Sequence, residues 1–358
     1  MDHRPKASPP PPKERFHEID LLRGLACFMV VAFHYLHRGA IEGWSPAIQI
    51  GAVDQTAQYG YLGVHLFFII SGFVIFLSAQ DTRVSKFTAS RISRLYPAFW
   101  VAVPLTWAVV WAFDAKPLQV SWQDMLVNLS MFPHWFKVPF VDGAYWSLAV
   151  ELQFYIMVGL AIRFGLMKRA EMLLSAWLLI ALANAIRPMF PVEFWLAANW
   201  APLFCAGASA YLVRTRGLNA WRAGIFLVAY GLAIHDALKH FIHSDAAQNG
   251  TLDPKIIAGS ISVFFVIFGM IALRKINMRN HPAISMAGLL TYPLYLVHEF
   301  MGYVFLTALH EAQVNLAVAL ALVFSGMVGL AWLLNRFVEK PFGPRLRSGI
   351  SQLLGARP

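Results

Sequence analysis

The sequence predicts an all-α, polytopic membrane protein with about ten transmembrane helices and both termini in the cytoplasm. Composition carries the first part of this prediction: 58% of the 358 residues are hydrophobic, only 13% are charged, and the mean hydropathy is +0.56. A soluble protein carries about 25% charged residues, so this chain has too few polar side chains to cover a water-facing surface. The composition therefore excludes a soluble enzyme, a disordered chain and a nucleic-acid-binding domain.

Ten apolar segments have the length of about 17–25 residues that a bilayer requires. They lie near residues 17–37, 60–79, 95–113, 144–164, 172–189, 194–213, 223–242, 256–273, 284–309 and 314–337. Each is expected to be helical, because lipid offers no partner for an unpaired backbone N–H or C=O group. Residues 1–16 are predicted to form a disordered cytoplasmic tail, 17–342 the transmembrane domain and 343–358 a cytoplasmic C-terminal tail.

The distribution of basic residues predicts the orientation. In the predicted topology, 23 of the 29 Lys and Arg residues lie on the same side of the membrane as the N-terminus, and six lie on the opposite side. Cytoplasmic loops carry the excess of Lys and Arg, so both termini are expected in the cytoplasm. The net charge of +10 then reflects topology and not a nucleic-acid partner. The longest external connection, from about Asp114 to Gly143, is interpreted as either an interfacial loop or a lid over an outward-facing site.

The first segment carries ionisable residues, which are costly inside a bilayer and are therefore functional candidates. Arg23 and His34 are eleven residues apart, which on an α-helix places them on one face with a separation of roughly 16 Å. Asp20 precedes Arg23 by three residues and is predicted to pair with it. The alternatives are a snorkelling arginine and a hydrogen-bonded interfacial histidine; the shared face favours a functional pair.

A pair of arginines follows the second segment. Arg91 and Arg94 are three residues apart and point the same way on a helix. Together with Arg23 they would form a cradle for phosphate groups, because the forked guanidinium donors match phosphate oxygens. The alternative is the ordinary positive charge of cytoplasmic loops.

The fourth segment carries a polar stripe. Ser147, Glu151 and Tyr155 are spaced by four residues and so share one helix face. Placing a lone glutamate inside a bilayer costs free energy that packing alone does not recover. Its presence therefore favours a role in function or in a hydrogen-bond network. Ser71 lies in the second segment, where Ser-Gly is typical of close helix packing. The ninth segment repeats the polar pattern with Thr291, Tyr292, Tyr295, His298 and Glu299.

Six motifs occur together and in order. They are Arg23-x10-His34, Phe67-Phe68…Ser71-Gly72-Phe73, Arg91-x-x-Arg94-x-x-Pro97, Trp146-Ser147-Leu148-x-x-Glu151-x-x-Phe154-Tyr155, Tyr292-x-x-Tyr295-Leu296-x-His298 and Val338-Glu339-x-Pro341. On these motifs the sequence resembles acyltransferase family 3, bacterial membrane acyltransferases that O-acylate cell-envelope carbohydrates. The resemblance runs from about Glu18 to Phe342. Any one motif is weak, but six in register are a strong signal.

The resemblance implies an acyl-CoA donor, usually acetyl-CoA, and a carbohydrate or glycolipid acceptor. It also implies that the protein lies in the lipid bilayer of a bacterial inner membrane. It implies no permanently bound cofactor, and the sequence shows no spacing typical of a metal site. Cys27 and Cys205 lie in apolar runs and are expected to be packing residues. About twenty residues follow the tenth segment, so a stand-alone transferase is expected. The sequence indicates no particular oligomeric state.

Residues and resemblance together suggest a mechanism. His34 is expected to act as general base on the acceptor hydroxyl, because a neutral imidazole suits proton transfer near pH 7. Glu151 would orient His34 or stabilise its imidazolium. The other expected roles are phosphate binding by Arg23, Arg91 and Arg94, oxyanion stabilisation by Tyr292, Tyr295 or Ser71, and support from Asp20, Ser147 and His298. Direct transfer and an acyl-histidine intermediate are both compatible with the sequence.

Two other classes of protein are considered. A transporter or flippase would move a glycan or acyl carrier without chemistry, and it predicts broken helices in two related halves; the sequence shows no such internal repeat. A sensor or structural subunit would have no need of the arginine pair.

Overall fold

The computed structural model describes residues 16–47, 52–80, 82–242, 252–279 and 281–355, and within these ranges the regular structure is entirely helical. In chain order the helices are α1 (His17–Ile41), α2 (Ala52–Ala57), α3 (Leu62–Ala79), α4 (Val84–Ala112), α5 (Trp122–Asn128), α6 (Tyr145–Arg163), α7 (Leu166–Ile186), α8 (Phe190–Leu196), α9 (Ala201–Arg216), α10 (Ala220–Ile242), α11 (Pro254–Ala272), α12 (Pro282–Val297), α13 (Glu299–Glu311) and α14 (Leu316–Leu353). The all-α fold class is confirmed.

Among the described residues, seven helices are long and apolar enough to cross a membrane, or nine if each of two bent helix pairs counts as one span. This makes the chain an integral membrane protein. The predicted segment 223–242 corresponds to α10, which is not among the nine, so the count of ten and the side of the termini stay predictions. Residues 1–15 of the predicted N-terminal tail lie outside the described ranges, and the predicted C-terminal tail continues α14 as a helix to Leu353.

Two predicted segments are bent where a single straight helix was expected. The segment near 194–213 is divided between α8 and α9, which meet at 41°, and the segment near 284–309 between α12 and α13, which meet at 71°. The second break falls at His298.

Side chains form hydrogen bonds with backbone groups next to the break at His298, whose own carbonyl also accepts from the N–H of Gly302 at 3.2 Å. The hydroxyl of Tyr145 donates to the carbonyl of Leu296 at 2.9 Å, and that of Tyr35 donates to the carbonyl of His298 at 2.8 Å. The N–H of Phe300 donates to Asp142 Oδ2 at 2.9 Å. Such partners are required, because an unsatisfied backbone group in the bilayer costs several kcal/mol.

Two glycines set the closest helix contact near the site. A Cβ atom on Gly72 of α3 would overlap the carbonyl of Phe204, and one on Gly207 of α9 would overlap the carbonyl of Ile69. Small residues allow two backbones to approach in this way inside a membrane. The contact fixes α3 and therefore the position of Ser71, the residue before Gly72.

Candidate active site

A cavity of about 80 Å³, here the central cavity, lies between α1, α3, α4, α6 and α12. Seven of the eleven predicted site residues line it: Arg23, Ser71, Arg94, Ser147, Glu151, Tyr292 and Tyr295. Residues more than 270 positions apart in the sequence thus meet at one site. Phe67, Phe68 and Leu148 supply an apolar wall, so the cavity combines apolar surface with a few convergent polar groups, as small-molecule sites do.

A second cavity of about 510 Å³, the basic vestibule, adjoins the central cavity. The two share Arg23, Arg94, Gly288 and Tyr292, and the vestibule extends past Phe16 at the start of α1 to Glu339 in α14. We call this end of the bundle the basic end. Together the two cavities form a route from the basic end into the middle of the helices.

The predicted pairing of Asp20 with Arg23 is present, with 3.9 Å between Asp20 Oδ1 and Arg23 Nη1. Asp20 also lines the vestibule. Arg94 is exposed and lies at the junction of the two cavities. Arg23 and Arg94 are close enough to interact electrostatically, and two like charges held together in a cavity create a site for an anion.

Arg91 lies behind this junction. It is buried, and its guanidinium carbon lies 5.9 Å from the ring centroid of Phe87 and 5.8 Å from that of Tyr155. Neither cavity has Arg91 in its lining. The structure therefore brings two of the three predicted phosphate-binding arginines to the cavity surface and places the third against aromatic rings.

Inside the central cavity the polar side chains are hydrogen-bonded in pairs. Ser71 Oγ donates to Glu151 Oε1 at 2.6 Å, and Ser147 Oγ lies 2.7 Å from the hydroxyl of Tyr295. The Tyr292 hydroxyl donates to the carbonyl of Leu95 at 2.7 Å. Ser71, Ser147 and Tyr295 thus present hydroxyl groups to the cavity on α3, α6 and α12.

Beyond Tyr295 lies a buried pair of histidines. His34 Nδ1 is 2.9 Å from His298 Nε2, and His298 Nδ1 is 2.9 Å from the carbonyl oxygen of Tyr295. His34 opens a π-helical turn, His34–Arg38, within α1, a widened turn common at functional sites. The ring of His298 lies 5.4 Å from that of Tyr295, which places the pair next to the central cavity.

The hydrogen bonds define which nitrogen carries each proton. A carbonyl oxygen only accepts, so His298 Nδ1 carries a proton, and in neutral His298 the other nitrogen, Nε2, is an acceptor. His34 then donates from Nδ1, which leaves the lone pair of His34 on Nε2. A nitrogen held in this state is suited to act as a base.

The carboxylate beside His34 is Glu299. Its Oε2 lies 3.5 Å from His34 Nε2, and the residue is fully buried as the first residue of α13. Glu151, the carboxylate expected there, is bonded to Ser71 in the central cavity. The sequence places Glu299 in the polar pattern of the ninth segment without indicating a role for it, because the bend that turns it toward His34 leaves no pattern in the sequence.

The connection before α6 supports Glu299. Asp142 accepts hydrogen bonds from the N–H groups of Ala144 at 3.0 Å and Phe300 at 2.9 Å. A Cβ atom on the neighbouring Gly143 would lie 2.5 Å from Glu299 Oε1. Burial raises the pKa of Asp142 to about 7. Part of the connection predicted as a loop or lid therefore packs directly against the carboxylate of Glu299.

Comparison with known proteins identifies relatives. A family model described as an acyltransferase domain, acyltransferase family 3, matches residues 16–336. A Komagataeibacter xylinus protein whose name describes a membrane-bound transacylase is 31% identical over 46% of this chain and 42% of its own length. The acyltransferase MdmB of Streptomyces mycarofaciens is 26% identical over 54% of this chain and 51% of its own length. The O-acetyltransferase OatA of Staphylococcus aureus is 28% identical over 40% of this chain and 24% of its own length. The chain thus spans about half or less of each relative, and no solved structure matches it.

Proposed function

The chain belongs to acyltransferase family 3, and we propose that it transfers an acyl group, acetyl by default, from acyl-CoA to a hydroxyl of an envelope or exported carbohydrate. One observation carries the proposal. His34, with an unprotonated nitrogen and the carboxyl group of Glu299 at 3.5 Å, lies behind Tyr295, which lines the central cavity together with Arg23 and Arg94.

The route fits the shape and charge of coenzyme A. Arg23 and Arg94 would bind its phosphates by charge-assisted hydrogen bonds, while the pantetheine arm extends through the central cavity. Arg23 and His34 are separated by roughly 16 Å along α1, a distance suited to an extended arm. The basic end then faces the cytoplasm, where acyl-CoA is made, in the bacterial inner membrane.

The proposed reaction begins at His34. Nε2 takes the proton of the acceptor hydroxyl as its oxygen attacks the thioester carbonyl, and the imidazolium is stabilised by Glu299 at 3.5 Å. The carbonyl oxygen becomes an oxyanion, to which the hydroxyl of Tyr295 would donate once it is released from its hydrogen bond with Ser147. Collapse of this intermediate breaks the carbon–sulfur bond, forms the ester and releases the CoA thiolate, which takes the proton back from His34.

The test uses the purified protein reconstituted in lipid with acetyl-CoA and envelope carbohydrate. We expect free CoA to be released only when the carbohydrate is present, with acetate recovered as an ester on it. His34→Ala should abolish both while the variant inserts in the membrane and binds acetyl-CoA. A transporter that does no chemistry would release no CoA, and full activity in His34→Ala would disprove the mechanism.

A further inference from the structure

The residues that line the vestibule and the central cavity follow one another along three helices. They run from Leu77 to Val64 on α3, from Tyr155 to Ser147 on α6 and from Gly288 to Tyr295 on α12. On α3 this path is roughly 20 Å long. The end of the central cavity farthest from the vestibule, here the deep end, is therefore bounded by the last lining residues of each helix: Val64, Phe67, Phe68, Ser147, Leu148 and Tyr295.

The deep end is apolar apart from one pair of hydroxyls. Ser147 Oγ lies 2.7 Å from the hydroxyl of Tyr295, and the other side chains there are hydrocarbon. A sugar ring in this space would lose its hydrogen bonds to water without finding enough partners, which is costly. A hydrocarbon group gains free energy from burial against the same walls. The lining therefore selects an apolar group.

The deep end adjoins the place where the proposed reaction occurs. The ring of Phe67 lies 5.7 Å from that of Tyr295 at an interplanar angle of 82°, and the ring of Tyr295 lies 5.4 Å from that of His298. A thioester carbonyl that accepts from the Tyr295 hydroxyl has two substituents. The sulfur leads back to the vestibule through the pantetheine arm, so the acyl chain points into the deep end.

The wall at the deep end is held from behind. Phe68 is buried, and its ring centroid lies 5.1 Å from that of Trp200 and 4.8 Å from that of Phe204. A Cβ atom on Gly63 would lie 2.5 Å from the carbonyl oxygen of Ala26 on α1, and α3 also packs closely against α9 at Gly72. Because close-packed interiors yield little, α3 has no space into which it could move to admit a longer chain.

The volume of the central cavity matches a short acyl group. By a measure in which one water needs about 10–15 Å³, a cavity of about 80 Å³ has room for roughly six groups of that size. An acetyl thioester and the first carbons of the pantetheine arm fill this space. Each further methylene would need room that the walls do not provide.

We infer that Val64, Phe67, Phe68 and Leu148 form an acyl-binding pocket, here the acyl pocket, that accepts the methyl of an acetyl group and excludes longer chains. Phe68 is the side chain that closes its end. The inference rests on the proposed function and deepens it, because it assigns the choice of acyl group to named side chains. The acyl pocket and the phosphate-binding arginines lie at opposite ends of the path, so donor choice and coenzyme A affinity change independently.

The first experiment measures donor choice in variants with an enlarged acyl pocket. Phe68→Leu enlarges it from α3 and Leu148→Ala from α6. The matched control is Phe76→Leu, which removes a buried ring from α3 that lines neither cavity. Each reconstituted protein receives equal amounts of acetyl-CoA and butyryl-CoA with envelope carbohydrate, and the two esters are counted by mass spectrometry. Their ratio does not depend on how much of a variant is folded.

Each methylene beyond acetyl should lower kcat/KM of the wild type about 10- to 200-fold. Phe68→Leu and Leu148→Ala should each raise the butyryl-to-acetyl ratio at least about tenfold, whereas Phe76→Leu should keep the wild-type ratio. Equal use of both donors by the wild type would overturn the inference. So would an unchanged ratio in both enlarged variants, or an equal change in Phe76→Leu. A wild-type protein that transfers neither group would instead reject the proposed function.

The second experiment separates the acyl pocket from the rest of the donor site. Coenzyme A without an acyl group should bind the wild type and all three variants with Kd values equal within about twofold, because distant sites act independently. Binding is measured by calorimetry. A Kd for coenzyme A that rises about tenfold or more in Phe68→Leu would place Phe68 against the pantetheine arm and would overturn its assignment to the acyl pocket.

Discussion

Replacing Glu299 by Gln removes the ionisable carboxyl group beside His34 and leaves the shape of the side chain nearly unchanged. At 3.5 Å from His34 Nε2, a unit charge in a medium of effective dielectric constant about 20 stabilises an imidazolium by about 5 kcal/mol. This corresponds to a fall in kcat of roughly three decades. Glu299→Gln should therefore lower kcat about 10³-fold and leave the KM for acetyl-CoA unchanged.

Glu151→Gln is the matched control, because it makes the same chemical change in the central cavity. Its carboxylate is hydrogen-bonded to Ser71 and not to His34, so the loss should be about tenfold or less. Both variants are assayed for acetyl transfer at saturating acetyl-CoA and for abundance in the membrane. A loss of activity in Glu151→Gln that exceeds the loss in Glu299→Gln would refute the assignment of Glu299 as the partner of His34.

Three further substitutions test other parts of the site. Arg94→Ala should raise the KM for acetyl-CoA by about 10- to 100-fold, the value of one hydrogen bond between charged groups, with kcat little changed; an unaltered KM would contradict phosphate binding there. Gly143→Ala places a Cβ atom 2.5 Å from Glu299 Oε1 and should lower kcat about 10²-fold by displacing it, whereas Gly231→Ala, which meets open space, should have no effect; equal activities would contradict the contact. Because burial raises the pKa of Asp142 to about 7 from about 3.9 in the unfolded chain, its protonated form stabilises the fold fully below about pH 4, and this stability is lost as the pH rises through 7. The Tm of the wild type should fall between pH 5 and 8 relative to Asp142→Asn, and parallel Tm curves would contradict this.

Most of the central cavity could be predicted from the sequence, because helical spacing reports which residues share a face. Arg23 and Asp20 form the predicted pair, and Ser147 and Glu151 both line the cavity, as the four-residue spacing requires. Such patterns depend on one helix at a time. They predict which side chains face a common space. They do not predict which residues of the other helices those side chains contact.

The remaining features depend on how helices meet. Arg91 and Arg94 share a helix, but α6 packs the ring of Tyr155 against Arg91 and leaves Arg94 exposed. The break at His298 is likewise invisible in an apolar segment whose period is helical throughout. It is stabilised by Tyr35 and Asp142, which come from distant parts of the chain, so sequence spacing carries no sign of it.

The break at His298 also explains why fold and chemistry are linked at this site. In a continuous helix the carbonyl of Tyr295 would bond to the N–H of Glu299, but here it accepts from the ring of His298. That hydrogen bond fixes the proton on Nδ1 of His298 and, through Nε2, the unprotonated nitrogen of His34. The same break begins α13 at Glu299 and turns its carboxylate toward that nitrogen. In the proposed mechanism one departure from helical geometry thus sets both the tautomer of the base and the position of the carboxyl group that stabilises its protonated form, so a straight helix here would lose both.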